Sequence, residues 1–192
     1  MTAPLESAKA NLRGQVRARL KNLPPTERLA ASARLCTRLR DQPVWRVAGP
    51  VLFFAPLPEE PDIWPLLAEA IAAGKPVALP AFIPGTNHYT PRRITDPVRD
   101  LVVGNFGIRE PAATCAEVSL NRLDLVLVPG IAFDARGGRL GRGQGFYDRL
   151  LATVKGTKCG VAFDEQIVDA VPVGPMDVRL NCILTPTCWI ET

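Results

Sequence analysis

The sequence predicts an α/β fold: a single-domain three-layer sandwich with a mostly parallel central sheet and an N-terminal helical pair. Three observations carry that expectation. Apolar residues recur three or four apart through the first forty positions; short apolar runs then alternate with helical segments; and Leu123 to Val128 is aliphatic apart from Asp124, as in a strand covered on both faces.

Leu5, Ala8, Leu12, Val16 and Leu20 share one side of a first helix, with Lys9, Arg13 and Arg17 as a neighbouring basic stripe. Pro24 and Pro25 end it, and Thr26 is positioned to cap a second helix reaching about Leu39, with Leu29, Ala33 and Cys36 inward. Val51 to Ala55 reads as a buried strand, Asp62 to Ala73 as a helix capped by Asp62 and closed by Gly74, and Val77 to Leu79 as the next strand. Pro65 is tolerated because it falls in the first helical turn, where its missing N–H has no helical acceptor. Residues 80–121 are rich in proline, glycine and polar side chains, with a short strand candidate around His88 to Ile94, and read as excursions from the core. Phe146 to Val154 predicts a helix, Cys159 to Phe163 a strand and Cys182 to Leu184 a last short strand.

The 192 residues suit one domain, 1–192, and a composition of 47% apolar and 22% charged residues is that of a globular protein. No apolar run reaches the roughly 20 residues that span a bilayer, and Met1 to Leu20 lacks the apolar stretch of a secretory signal, so the expected location is cytoplasmic, with no membrane partner. The five cysteines are odd in number and form no Cys-x-x-Cys pair, which predicts reduced thiols and no zinc site. A net charge of +4 favours an anionic partner, yet the basic residues are not clustered with aromatics as in nucleic-acid binders. A phosphorylated small molecule, bound by a monomer without nucleic acid, is the expectation.

The most informative stretch is Pro129-Gly130-Ile131-Ala132-Phe133-Asp134, followed by Gly137-Gly138-Arg139-Leu140-Gly141-Arg142-Gly143-Gln144-Gly145-Phe146-Tyr147-Asp148. Alternate glycines between arginines and a helix start let backbone N–H groups approach an anion, while Arg139 and Arg142 offer forked cationic donors. The same glycines also suit a surface hairpin in which they serve only as turns. Two familiar phosphate motifs are excluded: there is no Gly-x-x-x-x-Gly-Lys-Ser/Thr, and Phe146 stands where a dinucleotide fingerprint starting at Gly141 needs glycine. No Gly-x-Ser-x-Gly element accompanies the single histidine, His88, so nothing supports a serine hydrolase.

These two segments resemble the signature of the 5-formyltetrahydrofolate cyclo-ligase family. The resemblance extends to Ser7-Ala8-Lys9-Ala10-Asn11-Leu12-Arg13-Gly14, Glu60-Pro61-Asp62, Phe106-Gly107-Ile108-Arg109-Glu110-Pro111, Gly160-Val161-Ala162-Phe163, Gln166 and Asp177, in order along nearly the whole chain. It implies an ATP- and Mg2+-dependent conversion of 5-formyltetrahydrofolate, or its polyglutamates, to 5,10-methenyltetrahydrofolate: the formyl oxygen is phosphorylated, N10 attacks the activated carbon and phosphate leaves.

By resemblance, ATP is held by Lys9, Arg13, Arg139, Gly141, Arg142, Gly143, Gln144, Gly145, Phe146 and Tyr147, with Arg142 and Tyr147 catalytic. For Lys9 and Arg13, periodicity alone gives a solvated helix face instead. Asp148 and Asp177 become the magnesium carboxylates, although each also suits a capping role. Folate falls to Phe54, Glu60, His88, Arg142, Phe146 and Tyr147, where a carboxylate suits the paired N–H donors of a pterin and an aromatic ring its face. Asn87-His88 matches a substrate-side loop, whereas Ala81 and Pro91 depart from the family pattern. Two other classes remain open: a protein that sequesters formylfolate or nucleotide, and a basic RNA-associated module.

Overall fold

The computed structural model describes residues 3–86, 88–104 and 107–192; Asn87 and Phe106, both singled out above, lie outside them. Helix α1 (Ala3–Lys21) and helix α2 (Pro25–Asp41) form the expected pair, followed by α3 (Pro43–Val47). Strand β1 (Val51–Leu52), helix α4 (Trp64–Ala72) and strand β2 (Val77–Ile83) make the anticipated parallel βαβ unit, with Val51 opposite Val77. The helix starts at Trp64 with Ile63 as its N-cap, two residues later than expected, so Asp62 precedes it and accepts the Trp64 N–H through Oδ1 at 3.0 Å instead of capping it; Gly74 closes the helix at φ 73°.

Strand β3 (His88–Ile94) returns antiparallel to β2 over seven residue pairs. A small ribbon, β4 (Leu101–Val103) with β5 (Arg109–Pro111), precedes β6 (Leu125–Val128). A second ribbon, β7 (Ala132–Phe133) with β8 (Arg139–Leu140), leads through the glycine loop into α5 (Phe146–Leu151). Then come β9 (Thr157–Val161), β10 (Cys182–Leu184) and β11 (Trp189–Glu191).

The main sheet runs β11-β10-β9-β6-β1-β2-β3, five parallel strands flanked by an antiparallel strand on each edge. Strand β6 sits at its centre because all four of its residues are apolar and fully covered. Alternation divides its side chains: Leu125 and Leu127 face a core with α2 and α4, Val126 and Val128 one with α5. A third cluster joins Val16 and Leu20 of α1 to Ile131, Leu140 and Phe163 at the carboxyl ends of the strands. That cluster fixes α1 over the site.

Several local expectations are corrected. Helix α2 begins at Pro25 with Pro24 as its cap, so Thr26 lies inside it. Its inner face is Ala31, Ser32, Leu35, Cys36 and Leu39, while Leu29 and Ala33 are exposed; Ser32 can lie inward because its Oγ donates to the Arg28 carbonyl and accepts the Asp62 N–H. Ala8 is exposed and Lys9 buried on α1, the reverse of the predicted stripes. Pro80 to Ile83 and His88 to Ile94 pair regularly because Pro80 and Pro91 stand opposite each other, where neither missing N–H breaks a cross-strand bond. Cys182–Leu184 is followed by a further strand, Trp189–Glu191.

Candidate functional site

The glycine loop lies beyond the carboxyl ends of β6 and β9, where an open parallel sheet binds ligands. Gln166 braces this end: its Nε2 donates to the Gly130 carbonyl at 2.7 Å and its Oε1 accepts the Phe163 N–H at 2.8 Å. Asp134 folds the ribbon beneath the loop by accepting the N–H groups of Arg136, Gly138 and Val171 at 2.7–3.0 Å. Burial pushes its carboxyl upward, but these three donors outweigh burial and hold it below the usual carboxylate range.

The loop's cations form a closed circuit of contacts. Lys9, 5% exposed, donates to Asp177 Oδ2 at 2.6 Å, and the same oxygen accepts the Gly174 N–H. The next residue, Val178, donates its N–H to Asp148 Oδ1 at 3.3 Å, and Asp148 Oδ2 meets Arg139 Nη2 at 2.9 Å. Arg13, one helical turn beyond Lys9, donates from Nε to the Gly141 carbonyl at 2.9 Å. Residues separated by most of the chain are therefore joined around one loop. Arg139 is almost wholly buried, and its Nε–H has no acceptor among the described residues. Gly143, at φ 108°, adopts backbone that side chains avoid and leaves room for the Arg13 guanidinium.

Arg142 points the other way. Its Nη2 bridges Glu59 Oε1 at 2.9 Å and Glu60 Oε1 at 3.0 Å. Glu60 is the better buried partner, and its Oε2 accepts the Leu57 N–H. Burial raises its carboxyl above the usual range, against the opposing pull of that N–H and Arg142. Tyr147 lies between the two groups: the Arg139 guanidinium stands 5.7 Å from its ring centre, and burial followed by the Glu60 charge pushes its phenol upward. It consequently remains a protonated donor at neutral pH. Phe146 stacks edge-on with Phe82 and Tyr89, centroids 5.8 and 5.2 Å away.

Of the sequence-predicted residues, Lys9, Arg13, Arg139, Gly141, Asp148 and Asp177 meet in the circuit, while Glu60, Arg142 and Tyr147 adjoin it. Gln144 is exposed on the loop, its carbonyl accepting Arg149 Nη2 at 3.2 Å, and Gly145 caps α5 at φ 64°. Phe54 is 2% exposed and packed in the core at the end of β1, and His88 stands exposed at the start of β3, opposite Ile83. Sequence reading missed Phe82 and Tyr89; their signal was the hairpin register that sets them opposite each other. A separate cleft lined by Pro50, Val77, Arg93, Val118 and Arg122 opens at the amino ends of β1 and β2, the far end of the sheet.

The described residues contain no group of three or more His, Cys, Asp or Glu side chains suited to a metal. Asp148 and Asp177 nevertheless offer two hard oxygen donors linked through Val178, the kind of protein contribution magnesium accepts alongside phosphate and water. The buried Arg139 with an unmet Nε–H fits an anion brought with it.

Comparison with known proteins gives the family. The family model for the 5-formyltetrahydrofolate cyclo-ligase family matches residues 5–186. The chain belongs to that family. The 5-formyltetrahydrofolate cyclo-ligase of Escherichia coli (strain K12) is 34% identical over 176 residues, covering 90% of this chain and 97% of that protein. The Mus musculus cyclo-ligase is 28% identical, covering 94% of each. The structure of Aquifex aeolicus 5,10-methenyltetrahydrofolate synthetase superimposes with a TM-score of 0.86 at 34% identity, over 95% of this chain and 92% of that one. The α/β architecture described above is therefore shared with that synthetase over nearly the whole chain.

Proposed function

We propose that this chain is a 5-formyltetrahydrofolate cyclo-ligase that uses ATP and magnesium to form 5,10-methenyltetrahydrofolate. The observation that carries the reading is the circuit joining Lys9, Asp177, Asp148, Arg139, Gly141 and Arg13 around a glycine loop, beside the Glu60–Arg142 pair. Three cations converge on the loop, enough to balance a transferring phosphoryl group and the departing nucleotide. Lys9, Arg13 and Arg139 hold the polyphosphate, helped by loop N–H groups.

Asp148 and Asp177 would hold magnesium, which when bound neutralises phosphate charge. Arg139 and Lys9 already orient both side chains. Glu60 takes the N–H donors of the pterin, and Arg142, now resting on Glu60, is released toward the formyl oxygen as its charge develops. ATP donates its terminal phosphoryl group to that oxygen and leaves as ADP, N10 attacks the activated carbon and gives up its proton, and phosphate departs. Tyr147, protonated and packed between Glu60 and Arg139, excludes water and donates a hydrogen bond.

No described helix is long and apolar enough to cross a membrane. A cytoplasmic monomer of one domain, acting on folate with short or long glutamate tails, completes the reading. The test follows the ultraviolet absorbance of the methenyl product with each component omitted in turn. Product that requires the protein, ATP and magnesium together supports the assignment; product formed without ATP would refute it.

A further inference from the structure

One guanidinium in the cleft serves two carboxylates through a single nitrogen. Arg142 Nη2 meets Glu59 Oε1 at 2.9 Å and Glu60 Oε1 at 3.0 Å, while its Nη1 and Nε have no acceptor among the described residues. The two glutamates are neighbours in sequence but not in environment. The Glu60 side chain is 8% exposed and its Oε2 is held by the Leu57 N–H, whereas that of Glu59 is 47% exposed. The turn that carries them is closed a second time by the Glu60 N–H, which donates to the Leu57 carbonyl at 2.9 Å, so the backbone under Glu59 is held in place. Both glutamates and Arg142 open onto one small cavity that Arg17, Gly130 and Gln166 also line.

On the folate reading above, the pterin takes Glu60, and Arg142 must then give up that oxygen. Nothing requires it to give up Glu59. Burial pushes the Glu59 carboxyl up, but the Arg142 hydrogen bond outweighs burial and holds it below the usual carboxylate range, so this anchor stays charged at neutral pH. A planar guanidinium held at one corner turns about that corner and presents its other N–H groups within a short radius. Without an anchor, a freed Arg142 would instead sample the many rotamers of a long exposed side chain.

Resting on that reading, we propose that Glu59 is a positioning residue: it keeps hold of Arg142 Nη2 when the pterin displaces that nitrogen from Glu60, so that Nη1 and Nε face the formyl oxygen. Glu60 binds the substrate, and Glu59 acts only through the arginine. The strength of the contact suits the task, because a half-exposed ion pair is weak enough to yield as the guanidinium turns.

The experiment measures kcat and KM for 5-formyltetrahydrofolate from the methenyl absorbance, at saturating ATP and magnesium, in wild type, Glu59→Gln, Arg142→Ala and the double variant. Loss of a half-exposed pair predicts a kcat about fivefold lower in Glu59→Gln, with KM within about twofold of wild type and an unchanged thermal midpoint. In the Arg142→Ala background the same substitution should alter kcat by less than about twofold, since the arginine through which Glu59 acts is gone. Glu59→Asp, which keeps the charge, should recover most of the rate. An unchanged kcat in Glu59→Gln would overturn the positioning role. A loss seen in KM alone, or one that persists in full beside Arg142→Ala, would overturn it as well. Absence of product with wild type would instead overturn the folate reading, and the inference with it.

Discussion

Arg139 and Asp148 form a 2.9 Å ion pair in which the guanidinium is almost completely buried and the carboxylate is about four-fifths buried. A desolvated arginine requires this partner, so the pair is structural whatever part it takes in the proposed phosphate chemistry. Asp148→Asn should therefore do two things: reduce the magnesium dependence of turnover and lower stability by about 3 kcal/mol, roughly 6–12 °C for a chain of this size. Magnesium titration and differential scanning calorimetry read the two effects separately. Loss of folate affinity with an unaltered magnesium requirement would remove Asp148 from the metal.

Arg142 differs because 40% of its side chain is exposed and its partners are Glu59 and Glu60. Removing it leaves a loop that is still folded. Arg142→Ala should lower turnover on the order of a hundredfold while shifting the thermal midpoint little. An unchanged rate would exclude it from the transition state.

Glu60 carries a stability cost that depends on pH. Burial raises its folded-state carboxyl above the unfolded value, so its favourable contribution is full in acid and disappears as pH rises through the folded value. Glu60→Gln should accordingly be more stable than wild type at pH 8, with the difference narrowing toward acidic pH, while folate binding is lost. Urea unfolding at several pH values checks the slope; a difference that widens in acid has the wrong sign.

Asp134 behaves in the opposite sense. Its depressed carboxyl stabilises the fold above the unfolded value and loses that effect as pH falls through the folded one. Asp134→Asn should cost about 2–3 kcal/mol at neutral pH, because one of three backbone donors then faces an amide. The gap from wild type should shrink on acidification, as read by the same unfolding series.

Two loop glycines separate crowding from strain. A Cβ at Gly141 would lie 2.9 Å from Arg139 Nη1, whereas Gly143 sits at φ 108° with nothing nearer than 3.6 Å. Gly141→Ala should impair turnover at least tenfold with modest loss of stability, by displacing the Arg139 fork. Gly143→Ala should instead destabilise by about 1 kcal/mol, a backbone penalty. Paired kinetics and melting curves distinguish them.

The centre of the fold was legible because Leu125 to Val128 offers no polar face, and because Pro65, Asp62 and Gly74 punctuate α4. The first helix was harder. Periodicity assigns Lys9 to a solvated stripe, since its partner Asp177 belongs to a distant turn that no local pattern reveals. The glycine loop announced an anion site, and family motifs named its cations, but only the tertiary structure joins them through Val178. Glu110 was visible solely as a motif letter; its burial depends on Gly104 and Phe82 closing around it.

The Lys9–Asp177 contact links residues 168 positions apart. A chain emerging from the ribosome exposes its first helix long before the carboxylate that receives it exists. Growing chains thus carry a first helix whose buried lysine has no carboxylate to meet until residue 177 has been made.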